Sequence, residues 1–130
     1  MKFHLEQSAG KNAVTGYGEG YVAVNGARHQ SSLVVGADRL ITDWPARSID
    51  ALAADHLAAI VQMAPEIVLI GTGAKFVFPD ASRLAPLYNA GIGVEVMDTP
   101  AACRTYNILV GEGRNVVAAL ILAPRPGEQR

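Results

Sequence analysis

Ile67-Val68-Leu69-Ile70-Gly71-Thr72-Gly73 is the stretch on which the fold turns. Four consecutive apolar residues, three of them β-branched, are closed by glycine. That is the pattern of a short strand covered on both faces, as strands of parallel sheets are. Upstream, Leu57, Ile60, Val61 and Ala64 recur at i, i+3, i+4 and i+7, one face of a helix. Asp55 suits the positive end of that helix's dipole, and Pro65 ends it because the residue before a proline avoids the α region. Downstream, Leu84, Leu87, Tyr88 and Gly91 again keep helical spacing, with Pro86 tolerated if it falls in the first turn. Ile92–Met97 reads as the next strand. Thr99 then reads as an N-cap with Pro100 in the first helical position, opening a helix to about Leu109. Gly111-Glu112-Gly113 breaks it, and Val116–Leu122 reads as the last strand. The second half is therefore β-α-β-α-β with right-handed crossovers. Its three strands are expected to be adjacent and buried.

Further out, the first forty-odd residues read as β. Asn25-Gly26 between Tyr21–Val24 and Ala27–Gln30 is a type I′ hairpin signal, since that turn needs two residues at positive φ. Ser32–Val35 and Leu40–Trp44 read as further strands, the latter stopped by Pro45. Gly16-Tyr17-Gly18-Glu19-Gly20 reads as a flexible loop. The expected architecture is an α/β layered domain with a central mixed, largely parallel sheet, flanking helices and an additional N-terminal β element. Residues 1–123 are read as a single domain and 124–130, rich in Pro, Gly and charge, as a flexible C-terminal tail.

Composition bounds the function. Of 130 residues, half are apolar and 18% charged, so the chain can bury enough surface to fold. Eleven basic against twelve acidic residues argue against nucleic-acid binding, which needs a basic excess. The single cysteine, Cys103, rules out an internal disulfide and a paired-cysteine zinc site and fits a reducing compartment. Met1–Glu6 opens no secretory or organelle leader, and the longest apolar run, Val116–Pro124, is far short of the roughly 20 residues that span a bilayer. A cytoplasmic chain without membrane insertion is the expectation.

Several residues could carry chemistry. Gly71-Thr72-Gly73 sits where α/β folds place phosphate-binding turns, yet the third glycine of a dinucleotide fingerprint is missing, and Lys75–Pro79 looks extended rather than helical. A tight strand-ending turn is the plainer reading. Cys103 near a helix N-terminus beside Arg104 could be a lowered-pKa thiol, or a small buried apolar residue. Arg104, Asn107 and Glu112 could form a binding cluster, or an Arg104–Glu112 ion pair with Asn107 capping the helix end. Trp44 could be an exposed contact residue or part of the core. His4, His29 and His56 show no metal-ligand spacing. No catalytic residue, cofactor or metal is expected.

The blocks Ile67–Gly73, Gly91–Thr99, Ala102–Leu109, Glu112-Gly113-Arg114 and Ala118–Ile121, with Ser31–Leu33 and Trp44, resemble the Mth938-domain family over nearly the whole chain up to Ala123. The resemblance implies an α/β layered fold with an added β layer. It implies no reaction and no catalytic residues. Eukaryotic relatives of that family are mitochondrial assembly factors of respiratory complex I, which act by binding partners. Without a leader, this chain resembles a bacterial member.

Two functions follow. The first is a non-catalytic binding or assembly protein with a protein partner, acting in assembly of a membrane complex as such relatives do. The second is a small-molecule binder or enzyme using the crevice at the strand carboxyl ends, near Gly71, Thr72, Gly73 and the Thr99-capped helix. Self-association stays open.

Overall fold

The computed structural model describes residues 10–123. The proposed tail 124–130, like His4 and the N-terminal leader question, lies outside the described residues. The first elements of the described residues form a three-stranded antiparallel sheet: β1 (Val14–Gly18), β2 (Tyr21–Val24) and β3 (Ala27–His29). Asn25 (φ 52°) and Gly26 (φ 88°) form the turn between β2 and β3 as the sequence predicts. The Gly16–Gly20 segment is not a flexible loop. Its first three residues belong to β1, which pairs with β2, and Gly20 (φ 76°) completes a tight turn.

β4 (Leu33–Gly36) and β5 (Leu40–Ile41) follow. The strand expected to reach Trp44 stops at Ile41, because Asp43 (φ 53°) turns the chain and the Trp44 N–H bonds to the Ser32 carbonyl. Next come α1 (Ala54–Gln62), β6 (Ile67–Gly71), α2 (Ala85–Asn89), β7 (Gly93–Met97), α3 (Thr99–Gly111) and β8 (Val116–Leu120). A 3₁₀ turn over Ala81–Leu84 leads into α2, and Pro86 falls in its first turn as expected.

The main sheet is mixed, in the order β5-β4-β8-β6-β7. β8, β6 and β7 are parallel and in register, Gly71 lying between Met97 and Leu120. β4 and β5 add an antiparallel edge. Going from β6 to β7 the chain moves one way across the sheet, and from β7 to β8 it moves back. Right-handed crossovers then put α2 and α3 on opposite faces. The cores confirm this. Val34, Val68, Ile70, Val117 and Ala119 face Trp44, α1 and α2, whereas Leu33, Val35, Leu69, Ala118 and Leu120 face α3 and the small sheet. Period-two alternation fixes this division, since a one-residue slip would exchange the two sets. β6 and β8 are buried as expected. β7 is not: it is an edge strand with Glu95 exposed.

Candidate functional site

The carboxyl ends of the parallel strands bring together Gly71–Gly73 and the start of α3. Gly71 is needed for closeness. A Cβ there would lie 2.8 Å from Thr99 Oγ1 and 2.9 Å from Thr99 Cα. Gly73 takes φ +114°, a conformation side-chain-bearing residues rarely adopt. Its N–H donates to Thr99 Oγ1 at 2.9 Å, and its carbonyl accepts from the Thr99 N–H at 2.8 Å. Thr99 Oγ1 in turn donates to the Ile121 carbonyl at 2.8 Å. Thr99 thus ties the ends of β6 and β8 to α3.

That corrects the expected cap. Asp98 is the N-cap, its Oδ1 accepting from the Ala101 N–H at 2.8 Å, with Thr99 and Pro100 in the first two helical positions. Both side chains can cap a helix, but the Thr99 hydroxyl is committed to Gly73 and Ile121.

Thr72 shapes the loop beyond. Its hydroxyl donates to the Lys75 carbonyl at 2.7 Å and accepts from the Val77 N–H at 3.0 Å. The loop so held presents Phe76, Val77 and Phe78 to solvent, 49%, 39% and 84% exposed, with the two rings edge-on 5.2 Å apart. The sequence by itself predicts only an extended segment here. Its signal was three large apolar residues between Lys75 and Pro79, outside any periodic pattern.

Beside this loop is a cavity of about 750 Å³, between the β1–β2 turn and the strand ends. It is lined by Tyr17 to Tyr21, by Gly73, Ala74, Thr99 and Pro100, and by Ile121–Ala123. Thr72 and Arg104 are not part of it. The Tyr21 ring lies against Gly18, where a Cβ would come within 2.5 Å of it, and the Arg28 guanidinium sits 3.9 Å from its centroid. Arg104 Nη1 donates to the Tyr17 hydroxyl at 2.9 Å. Tyr17 and Tyr21 line this candidate site and are not among the residues the sequence points to: the sequence predicts a loop at Tyr17 and only a strand at Tyr21, and neither pattern shows that the two meet the strand ends. A smaller cavity of about 400 Å³, lined by Ser31, Asp43 and Arg47 among others, lies across Leu122.

Arg104, Asn107 and Glu112 do not form a cluster. Arg104 serves Tyr17, while Asn107 does not cap its helix. The Asn107 side chain accepts from the Val14 N–H at 2.9 Å and donates to the Val14 carbonyl at 2.7 Å, extending the β1 edge onto α3. Glu112 sits at the helix C-cap, eight residues or roughly 12 Å along the axis from Arg104, so the expected ion pair is absent. Glu66 pairs with Arg114 at 2.9 Å. The pairing holds the Glu66 carboxyl below its ordinary range. Trp44 is core, 3% exposed, with Nε1 donating to the His56 carbonyl at 3.1 Å. It also contributes to the lining of the smaller cavity.

Cys103 is buried, and desolvation pushes its thiol up to about 12. This agrees with the structural reading of that residue. Among the described residues, no three His, Cys, Asp or Glu side chains converge as metal ligands, and no helix is long and apolar enough to cross a membrane.

The chain is 35% identical over 121 residues to an uncharacterized protein of Rhodobacter capsulatus, covering 92% of this chain and 90% of that one. It is 38% identical over 90 residues to the rat protein named NADH dehydrogenase [ubiquinone] 1 alpha subcomplex assembly factor 3. That match covers 68% of this chain but 48% of the assembly factor, so the chain spans about half the length of that relative. A 13 kDa major membrane protein of Francisella tularensis is 41% identical over 73 residues, 56% of this chain and 59% of that one. Among solved structures, a Bordetella parapertussis protein superposes with a TM-score of 0.81 at 39% identity, covering 88% of this chain and 98% of that one. A Bordetella pertussis protein described as an Mth938-like domain gives 0.75 at 33% identity, covering 87% of each chain. Residues 14–121 match the family described as protein of unknown function (DUF498/DUF598), and the chain belongs to that family.

Proposed function

We propose that this chain is a non-catalytic assembly protein of the bacterial cytoplasm that holds a protein partner during assembly of a membrane complex. The observation that carries this reading is the Phe76-Val77-Phe78 segment, held in a defined loop by Thr72 while its aromatic rings face solvent. Exposing such side chains in an ordered loop opposes the hydrophobic effect unless a partner covers them. Similarity to a relative named as an assembly factor supports the same reading. The near-neutral charge of the chain supplies little electrostatic pull toward phosphates or lipid headgroups, which favours an apolar protein contact.

The test is partner capture by the tagged chain from its native cells, followed by affinity measurement with the purified partner. Phe78→Ser should weaken binding by about 2 kcal/mol or more, the size of a hot-spot loss, while the folded-state spectrum stays unchanged. Equal affinity for the Phe76→Ser/Phe78→Ser double variant would overturn the proposal.

A second reading has its own observation. The cavity of about 750 Å³ at the strand carboxyl ends is of a size and position typical of small-molecule sites in α/β folds. A metabolite whose saturable binding is lost on changing Tyr17 to Ala, with Phe78→Ser silent, would favour that reading over the first.

A further inference from the structure

The two ends of the main sheet differ. β5, at one end, is two residues long, too short to template another strand. β7, at the other, runs for five residues, and no described strand pairs with its outer edge. Strand geometry says which peptide groups that edge offers. The Gly93 N–H bonds to the Glu66 carbonyl and the Met97 carbonyl accepts from the Thr72 N–H. Residues 93, 95 and 97 therefore point their peptide groups inward to β6, and Val94 and Val96 point theirs outward. No turn, loop or side-chain hydrogen bond among the described residues reaches the peptide groups of Val94 or Val96. Their side chains pack half-buried on the α2 face, while Glu95 stands exposed on the other.

Glu95 decides what can pair here. Two copies meeting edge to edge across a two-fold axis form the fullest ladder with Val94 opposite the other copy's Val96. That register sets Glu95 directly against Glu95, about 4.5 Å apart between Cα atoms in a non-hydrogen-bonded pair, where like charges repel. A register centred on Val94 needs the Ile92 N–H, which already bonds to the Leu87 carbonyl. One centred on Val96 runs into the turn where Asp98 caps α3. A second copy is therefore a poor occupant. A foreign strand with a basic residue opposite Glu95 gains both the backbone bonds and a cross-strand ion pair.

We infer that β7 is a β-augmentation site that takes an extended segment of a partner protein carrying Lys or Arg opposite Glu95. The inference rests on the reading of this chain as a protein-binding module, and it names a surface separate from the Phe76–Phe78 loop.

The experiment uses the full chain labelled for amide NMR and a capped peptide, Thr-Thr-Val-Lys-Val-Thr-Thr, with a matched peptide carrying Glu in place of Lys. The Lys peptide should shift the Val94 and Val96 amides and bind at least tenfold more tightly than the Glu peptide. Glu95→Lys should reverse that preference. Val96→Pro removes an outward donor and no bond to β6, so the β6 ladder survives and peptide binding should vanish. Val94→Pro provides the same test at the other outward position. Absence of shifts at Val94 and Val96, equal binding of the two peptides, or a wild-type dimer abolished by Val96→Pro would each overturn the inference. Phe78→Ser should leave peptide binding intact, so failure here and failure of the proposed function are separable.

Discussion

The two faces of the five-stranded sheet are covered by different means. On one, the segment from Trp44 to Leu52 together with α1 and α2 lays aliphatic side chains and Trp44 onto Val34, Val68, Ile70, Val117 and Ala119. Contact is almost wholly apolar, and a few bonds such as Trp44 Nε1 to the His56 carbonyl only orient the parts. On the other face the small sheet and α3 also bury Val14, Val22, Val24, Cys103 and Tyr106 against the strands, but polar side chains add directed bonds that join the small sheet to α3. The Tyr106 hydroxyl donates to the Asn12 carbonyl at 2.8 Å, Asn107 makes two bonds to Val14, and Arg104 reaches Tyr17. Polarity on a helix between apolar strands invites a functional reading. Here that polarity mostly attaches an added β layer, because a sheet edge presents peptide groups that need partners.

If the first face is held by apolar burial, removing its largest ring should do the most damage. Trp44→Ala should cost about 3–5 kcal/mol in chemical denaturation, from lost transfer energy and a cavity. A loss under about 1 kcal/mol would return Trp44 to the list of contact residues. If directed bonds fix the small sheet onto α3 on the second face, Asn107→Ala should cost about 2 kcal/mol by leaving the Val14 peptide groups unpaired. It should also raise hydrogen exchange of the β1 amides ahead of those in β6. Uniform exchange across both sheets would erase the distinction drawn between the faces.

The buried thiol on the second face adds a pH signature. The Cys103 pKa is raised in the folded state, so its stabilising contribution is complete below the unfolded value and is lost as pH rises toward the folded value of about 12. Tyr106 is raised as well, by burial, and acts in the same direction at higher pH. Stability should fall by about 1 kcal/mol between pH 9 and pH 10. Cys103→Ala should flatten most of that slope, and native Cys103 should label far more slowly than the unfolded chain. A flat profile in the parent chain would contradict the burial.

The helix start offers a change of similar or smaller size. Asp98→Ala should cost about 1 kcal/mol through loss of the cap. Arg104→Ala should have the least effect, a smaller shift of the denaturation midpoint than Asp98→Ala, since the bond it adds between α3 and Tyr17 is made in solvent. A marked loss of stability there would mean that Arg104 anchors the small sheet.

Local chemistry was enough to read much of this molecule from its residues. Asn25-Gly26 can hardly avoid a tight turn, and the apolar run of Ile67–Ile70 has to be covered on both sides. The spacing of Leu57, Ile60 and Val61 leaves one buried helix face. The layered α/β fold follows from those elements and from the handedness of their connections. Tertiary structure decided which of several competent groups took each role. Asp98 and Thr99 are both good caps, and Thr99 lost that role to Gly73 and Ile121, 26 and 22 residues away. Trp44 suited surface or core until α1 was placed over it. Arg104, Asn107 and Glu112 suited a cluster until β1 lay along α3 and drew two of them away. The candidate site, a cavity beside an exposed aromatic loop, arises where the β1–β2 turn meets the strand ends. Residue spacing encodes which face a side chain takes along one element, whereas meeting between distant elements depends on how the whole chain packs.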